Sequence, residues 1–366
     1  MAPRAAAAYR PVMSPVPPSS PLRLRLGGDA LVANWRTLAA MSGGAACGAA
    51  IKADGYGLGA GEVTRRLTAA GCRDFFVAHW AEAAALADRF ADGAAALSIL
   101  HGVRAGDMAV AATLPWARPV LSTPEQVARW RPTGRPCDVM VDTGMNRLGV
   151  STAMVGQGLL DGLRIETLMS HLACAEDAGS AMNPRQRDAL AALTGRTTAR
   201  RMSLANSGGV ALGAGYAFDL VRPGLALYGG VPCAALADAI RPVAVPEAEV
   251  LQRRTVRAGD SVGYDATWIA PADTEVAILS IGYADGYARA LSGVGSARVG
   301  AATLPVLGRV SMDLVAIGVD AAPTLGEGDR VALDFTLPVA SAASGVSQYE
   351  LLTGLGRRFE RVWYHS

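Results

Sequence analysis

The chain has 366 residues, is 51% hydrophobic and only 18% charged, and carries a formal net charge of +2. That length allows two domains, each burying its own core. The balanced charge argues against a nucleic-acid partner, and no uninterrupted apolar run approaches the roughly 18 residues that suggest a membrane span. Five scattered cysteines (Cys47, Cys72, Cys137, Cys174 and Cys233) lack CxxC spacing and read as reduced thiols in a cytoplasmic protein. Four histidines without an HExxH pattern argue against a metal centre, so the expected metal is none.

In chain order, residues 1–21 are rich in Ala, Pro and Ser and read as a flexible tail. Residues 22–26 (Leu-Arg-Leu-Arg-Leu) alternate strictly, as a half-buried strand does, and Asp29 is expected to cap a helix over 30–41. The sequence then beats in βα units. Strands are predicted at 47–51, 74–78, 97–100, 119–121, 138–141, 165–170, 202–205 and near 219–221. Helices are predicted at 61–67, 81–90 and 184–193. Eight alternations over roughly 200 residues predict a (β/α)8, TIM-like barrel rather than a doubly wound sheet.

After about Pro246 the pattern changes. Short strand-like runs at 250–254, 276–282, 297–299, 314–319 and 330–334 are separated by Gly, Pro and Asp. A helix at 348–355 and a strand at 361–364 close the chain. The expected organisation is a barrel domain over 22–245 and a mostly β domain over 246–366, with strand 22–26 free to join the latter.

Among 34 Lys and Arg residues, Lys52 is the only lysine. An arginine can serve wherever positive charge suffices, but it cannot lose a proton to become a nucleophilic amine. A solitary lysine is therefore a candidate for Schiff-base chemistry. It sits where strand 47–51 runs into the glycines at 55, 57 and 59, at the strand end where barrel enzymes place their chemistry. The spacing of those glycines fits neither a dinucleotide fingerprint nor a P-loop. Other chemistry-bearing residues also fall just past strand ends: Asp142 to Arg147, His171, Asn206-Ser207 and Arg222. Ser207-Gly208-Gly209 and Arg222-Pro223-Gly224-Leu225 follow strands seven and eight, where barrels bind phosphate.

Lys52-Ala53-Asp54-Gly55-Tyr56-Gly57-Leu58-Gly59 resembles the pyridoxal phosphate (PLP) signature of the alanine racemase family. So do, in order, Val141-Asp142-Thr143-Gly144-Met145-Asn146-Arg147, Ser170-His171-Leu172-Ala173, Ala205-Asn206-Ser207-Gly208 and Arg222-Pro223-Gly224-Leu225. Gly263-Tyr264-Asp265, Gly282-Tyr283-Ala284-Asp285-Gly286 and Arg309-Val310-Ser311-Met312-Asp313 extend the likeness through the second domain. The resemblance implies a PLP-dependent racemase that interconverts L- and D-alanine, supplying D-alanine for peptidoglycan. It would be a cytoplasmic homodimer with shared active sites.

By this resemblance Lys52 would hold PLP covalently and act as the base on one face, while Tyr264 of the partner subunit would act on the other. Arg222 would face the pyridine nitrogen and keep it unprotonated. Tyr56, Ser207 and the backbone at Gly224 would cradle the phosphate, with Asn206 and Leu225 among the cofactor's neighbours. Arg147 would approach the cofactor's phenolic oxygen and the substrate, and His171 would stand near the ring. The Met312 backbone would hold the substrate carboxylate, with Tyr283 narrowing the entry.

Three positions depart from the family pattern. Met140 stands where many members carry a carbamylated lysine, and Ser203 where many carry a histidine bonding the pyridine-facing arginine. The family's C-terminal phosphate-binding tyrosine has no evident counterpart around residues 355–358. Competing readings are a broad-specificity racemase, a PLP-dependent decarboxylase, which would want an acidic residue in place of Arg222, and a non-catalytic PLP-binding protein. That last family is a single barrel, and residues 246–366 with Tyr264 argue against it.

Overall fold

The structure is a computed structural model that describes residues 19–364. Residues 1–18, most of the expected N-terminal tail, lie outside the described residues. The end of that segment is tied to the second domain: Ser20 Oγ donates to the Arg358 carbonyl, and Arg330 donates to the carbonyls of Ser20 and Pro21.

Eight parallel runs of strand form the barrel: Ala46–Ala50, Asp74–Val77, Ala96–Ile99, Ala117–Leu121, Pro136–Asp142, Arg164–Met169, Arg201–Ser203 and Leu220–Val221. The first run is interrupted at Gly48. Its Ala46–Cys47 half pairs with the eighth strand, and its Ala49–Ala50 half pairs with the second, which closes the ring. Gly48 N–H donates to the Val221 carbonyl, and a Cβ there would lie 2.7 Å from the Asp74 carbonyl oxygen. Only glycine lets the three strands meet at that point. Most residues of these strands are buried, because helices cover the outside and side chains fill the inside. Near the N-terminal ends of the strands lies a charged layer. Arg201 makes a two-point pair with Asp74, and fully buried Asp138 accepts from Ser98 Oγ at 2.6 Å.

The second unit is an eight-stranded sheet built on one long strand, Ala244–Val256. A register shift between Val250 and Gln252 lets its two halves pair differently. The first half lies against Leu22–Gly27 and Arg330–Leu333, and the second against Thr274–Leu279. Leu22–Gly27 thus belongs to this sheet, between Ala244–Val256 and Glu360–Tyr364. Its alternation is realised: Leu22, Leu24 and Leu26 are buried, while Arg23 and Arg25 reach Glu247 on the other face.

Several local expectations need correction. Asp29 does not cap its helix. The strand runs straight into Gly28–Met41 with Gly27 at the cap position, which leaves Asp29 in the first turn, where its charge favours the helix dipole. The stretch expected as one helix at 81–90 is two, Trp80–Ala85 and Ala87–Phe90, broken at Leu86. Strand Ala302–Leu307 and helix Leu337–Ser344 were not foreseen. Pro305 obscures the strand in the sequence, yet it sits at a position opposite Ser296 where Leu304 and Val306 still alternate inward.

Candidate active site

A cavity of about 490 Å³ opens at the C-terminal ends of the barrel strands. Its wall includes Lys52, Tyr56, Arg147, His171, Asn206, Ser207, Arg222, Gly224 and Leu225, so nine of the sequence-predicted site residues converge there.

Lys52 enters it from an unusual turn. Ala53, Asp54, Gly55, Tyr56 and Gly57 all have positive φ, between 53° and 85°, and the first three have ψ of 44–49°. This is one turn of left-handed helix, closed by Gly55 N–H to the Ile51 carbonyl and Gly57 N–H to the Ala53 carbonyl, both 2.8 Å. Each non-glycine residue in that conformation costs roughly 1–2 kcal/mol, so neighbours must hold it. Asp54 Oδ1 accepts from Ala60 N–H, linking the turn to helix Ala60–Ala70. Arg361 donates to the Gly57 carbonyl at 2.7 Å from the second domain, and a Cβ on Gly57 would lie 2.9 Å from the Leu352 carbonyl oxygen. Burial and the Arg147 guanidinium lower the Lys52 amine below the ordinary lysine value, with Glu82 opposing them. The amine is therefore easier to deprotonate at neutral pH than a surface lysine.

Arg222 is buried at the far wall. Its Nη1 donates to Ser203 Oγ and its Nη2 to the Ser170 carbonyl at 2.6 Å. Ser203 Oγ in turn donates to the Leu220 carbonyl. Burial lowers Arg222 to about 10, with Asp138 acting in the opposite sense, which leaves the guanidinium charged at neutral pH. Burial, Arg222, Arg147 and Lys52 together push His171 down to about 3, so its imidazole is neutral. Gln186 holds the segment in place, donating to the His171 carbonyl and accepting from Ala173 N–H, both at 2.8 Å. Met140 is buried in the same wall as Arg147, which makes no hydrogen bond or ion pair among the described residues.

The end formed by the last two strands is a cradle. Ser207 Oγ accepts from the N–H groups of Gly224 and Ala226, at 3.0 and 3.2 Å, which leaves its own O–H free to donate into the cavity. The Gly224 N–H is thus directed at Ser207 Oγ. A Cβ on Gly224 would run into Tyr56 Oη, so glycine keeps this corner open. Tyr56 stacks on Tyr228 at 4.7 Å, and Tyr228 Oη donates to the Ala50 carbonyl. Asn206 caps the short helix Ser207–Ala211 by accepting from Gly209 N–H.

Tyr349 and His101 are among the wall residues that the sequence did not point to. Tyr349 stands on helix Gln348–Thr353 of the second domain, 6.5 Å from Tyr56 between ring centres, and is pushed up to about 12 by burial and Glu176. The helix itself is legible in the sequence, and the capping box of Ser347 and Glu350 sets its start, but neither places Tyr349 in the cavity. His101 follows the third strand and also lines the cavity.

Tyr264, Tyr283 and Met312 do not line this cavity. Tyr264 is 67% exposed, on a turn where Asp265 has φ 60° and pairs with Arg309 at 2.8 Å. Tyr283 and Met312 are exposed side by side: Tyr283 N–H donates to the Ser311 carbonyl and Ala284 N–H to the Met312 carbonyl. Arg358 ties their two loops by pairing with both Asp285 and Asp313. Within one chain these three residues stand apart from Lys52.

Family models described as alanine racemase, N-terminal domain and alanine racemase, C-terminal domain match residues 27–232 and 243–363. A protein named alanine racemase from Methylobacterium nodulans is 42% identical over 354 residues, covering 93% of this chain and 95% of its own. A catabolic alanine racemase from Agrobacterium fabrum is 40% identical over 364 residues, covering 94% of this chain and 92% of its own. Among solved structures, alanine racemase from Bartonella henselae with covalently bound pyridoxal phosphate superposes with a TM-score of 0.86. It is 32% identical and covers 95% of this chain and all of that one.

Proposed function

We propose, from the premise that this chain belongs to the alanine racemase family, that it is a PLP-dependent racemase interconverting L- and D-alanine. The observation that carries the reading is the placement of the chain's only lysine, its amine lowered, in one cavity with Arg222, His171 and an open anion cradle. The residues present fit PLP. Lys52 is the one side-chain amine able to bond its aldehyde. Ser207 O–H and Tyr56 Oη are donors at the bare Gly224 corner for its phosphate, and Tyr349, whose Oη donates to Glu176 Oε1 at 3.4 Å, stands 6.5 Å from Tyr56 between ring centres. Arg222 has guanidinium N–H groups beyond those given to Ser203 and Ser170 to face its ring nitrogen.

When bound, PLP spreads the negative charge of the substrate's α-carbon into its ring. Lys52 Nζ would take or return the α-proton on one face. Arg222, held charged and fixed by Ser203 and the Ser170 carbonyl, gives the ring nitrogen no proton and limits side reactions. Racemisation needs a second proton carrier on the opposite face, and Tyr264 is assigned that task. Its exposure and its absence from the cavity wall fit delivery from a second copy of the chain, in a homodimer with two composite sites. His171, kept neutral, would accept from or orient that phenol. Arg147 would meet the substrate and the cofactor's phenolic oxygen, and the Met312 backbone would hold the substrate carboxylate with Tyr283 at the entry. A cytoplasmic site of action and supply of D-alanine for peptidoglycan complete the reading.

Chiral chromatography of the purified, PLP-supplied protein with a panel of L-amino acids tests the reaction. L-alanine should run to equal amounts of both enantiomers, and no D-alanine would refute the reading. Preference for another amino acid would move it to a broad-specificity racemase. Mixing inactive Lys52→Ala and Tyr264→Phe protomers tests the shared site. Verified heterodimers should recover up to half the wild-type activity, since one of the two sites has both residues intact. Heterodimers that stay inactive would remove Tyr264 from the partner's site.

A further inference from the structure

The turn that carries Lys52 has donors its own hydrogen bonds leave over. The first N–H groups of any helical turn lack an acceptor within it, and Ala53 N–H, one residue past Lys52, is such a donor. It is met from outside by Glu82 Oε1 at 2.7 Å. The other oxygen of the same carboxylate, Oε2, accepts from Ala78 N–H at 2.6 Å, just beyond the second barrel strand. One carboxylate therefore bridges the exits of barrel strands one and two. Glu82 is itself fixed on helix Trp80–Ala85, where its N–H donates to His79 Nδ1.

The bridge demands a carboxylate of this length. Two N–H donors need two acceptor oxygens, and an ionised carboxylate offers acceptors only. A glutamine would turn an NH₂ toward one of the donors. An aspartate keeps the charge but is one methylene short of spanning the gap. Charge-assisted bonds of this kind are about twice as strong as neutral ones, which suits a turn held in left-handed conformation at Ala53, Asp54 and Tyr56.

We propose that Glu82 is a positioning residue for the reaction: by clamping Ala53 and Ala78 it fixes the left-handed turn that aims Lys52 and places a negative charge beside its amine. The inference rests on the reading of Lys52 as the acting amine. The charged groups that act on Lys52 are Arg147 from the loop after strand five and Glu82 from the helix after strand two, and Lys52 in turn acts on the neutral His171 after strand six. Glu82 is the only negative one among them, and it opposes the lowering by burial and Arg147.

The lone lysine makes the test direct. Reductive methylation of the cofactor-free protein with ¹³C-formaldehyde labels one side-chain amine, so its NMR titration reads Lys52 without overlap from other lysines. Glu82→Gln should lower the Lys52 titration midpoint, whereas Glu82→Asp, which keeps the charge, should leave it near wild type. In the PLP-loaded enzyme both variants break the two-point clamp. Both should lose roughly tenfold in kcat, with KM for alanine changed less than twofold. A Glu82→Gln protein that titrates Lys52 as wild type, even if less stable, overturns the proposal, as does Glu82→Asp with full kcat. Should Glu82→Gln fail to fold, the kcat of Glu82→Asp alone decides. The Lys52 titration needs no turnover, so an inactive wild type would refute the racemase reading while leaving the clamp tested.

Discussion

Ala53→Gly should stabilise the protein and slow it at once. Ala53 has φ 53° and ψ 48° and its methyl is exposed, so the substitution gives up no buried surface. Left-handed backbone costs an alanine roughly 1–2 kcal/mol that a glycine escapes. Against this, the added freedom of glycine in the unfolded chain costs about 0.5–1 kcal/mol. The net expectation is a gain of about 0.5–1 kcal/mol in urea unfolding of the cofactor-free protein at fixed concentration. Gly55→Ala supplies the contrast. At φ 63° its Cβ would lie 3.2 Å from Ala60 Cα and N and 3.3 Å from Val63 Cγ2, so strain and crowding add. A loss of about 1–3 kcal/mol is expected. Catalysis should move the other way for Ala53→Gly, because a glycine beside Lys52 loosens the aim of the amine. A destabilised Ala53→Gly together with a neutral Gly55→Ala would refute the left-handed turn.

Two further outcomes follow from the buried wall of the cavity. Arg222→Glu places an acceptor where Arg222 now donates to Ser203 and Ser170. It should slow racemisation roughly tenfold or more, with a new long-wavelength absorption band during turnover; an unchanged rate and spectrum would make Arg222 merely structural. His171, with its folded value near 3 against about 6.5 unfolded, binds a proton more readily in the unfolded chain. Its contribution to stability is full above pH 6.5 and is lost as pH falls toward 3, at up to about 1.4 kcal/mol per pH unit. Urea unfolding of cofactor-free wild type should therefore weaken between pH 6.5 and 4.5 more steeply than that of His171→Gln, and parallel curves would contradict a neutral imidazole held in this half-buried position.

The sequence carried the barrel because its short apolar runs recur at βα spacing, and it carried Lys52 because an amine that arginine cannot replace stood alone. It could not show the left-handed turn. Ala53 and Asp54 favour right-handed backbone, and only Gly55 and Gly57 hint at positive φ. The energy that holds the turn comes from Glu82, Asp54 and Arg361, partners up to 304 residues away. Tyr349 was hidden for the same reason. Its place in the cavity depends on the second domain seating its helix against Gly57, a contact with no local signature. Ser203 beneath Arg222 was legible, since its position relative to Asn206 is set by one short strand and turn. The N-cap at Gly27 was not, because a strand that passes directly into a helix removes the usual polar cap.

Borohydride reduction of the PLP-loaded protein, followed by peptide mapping, tests the central claim most directly. Reduction fixes the cofactor to whichever amine holds it, and Lys52 is the chain's only side-chain amine. The account predicts one pyridoxyl group per chain, on the peptide containing Lys52, and none in Lys52→Arg. A reduced adduct found only on the terminal α-amine, or no adduct in a protein that racemises alanine, would contradict it.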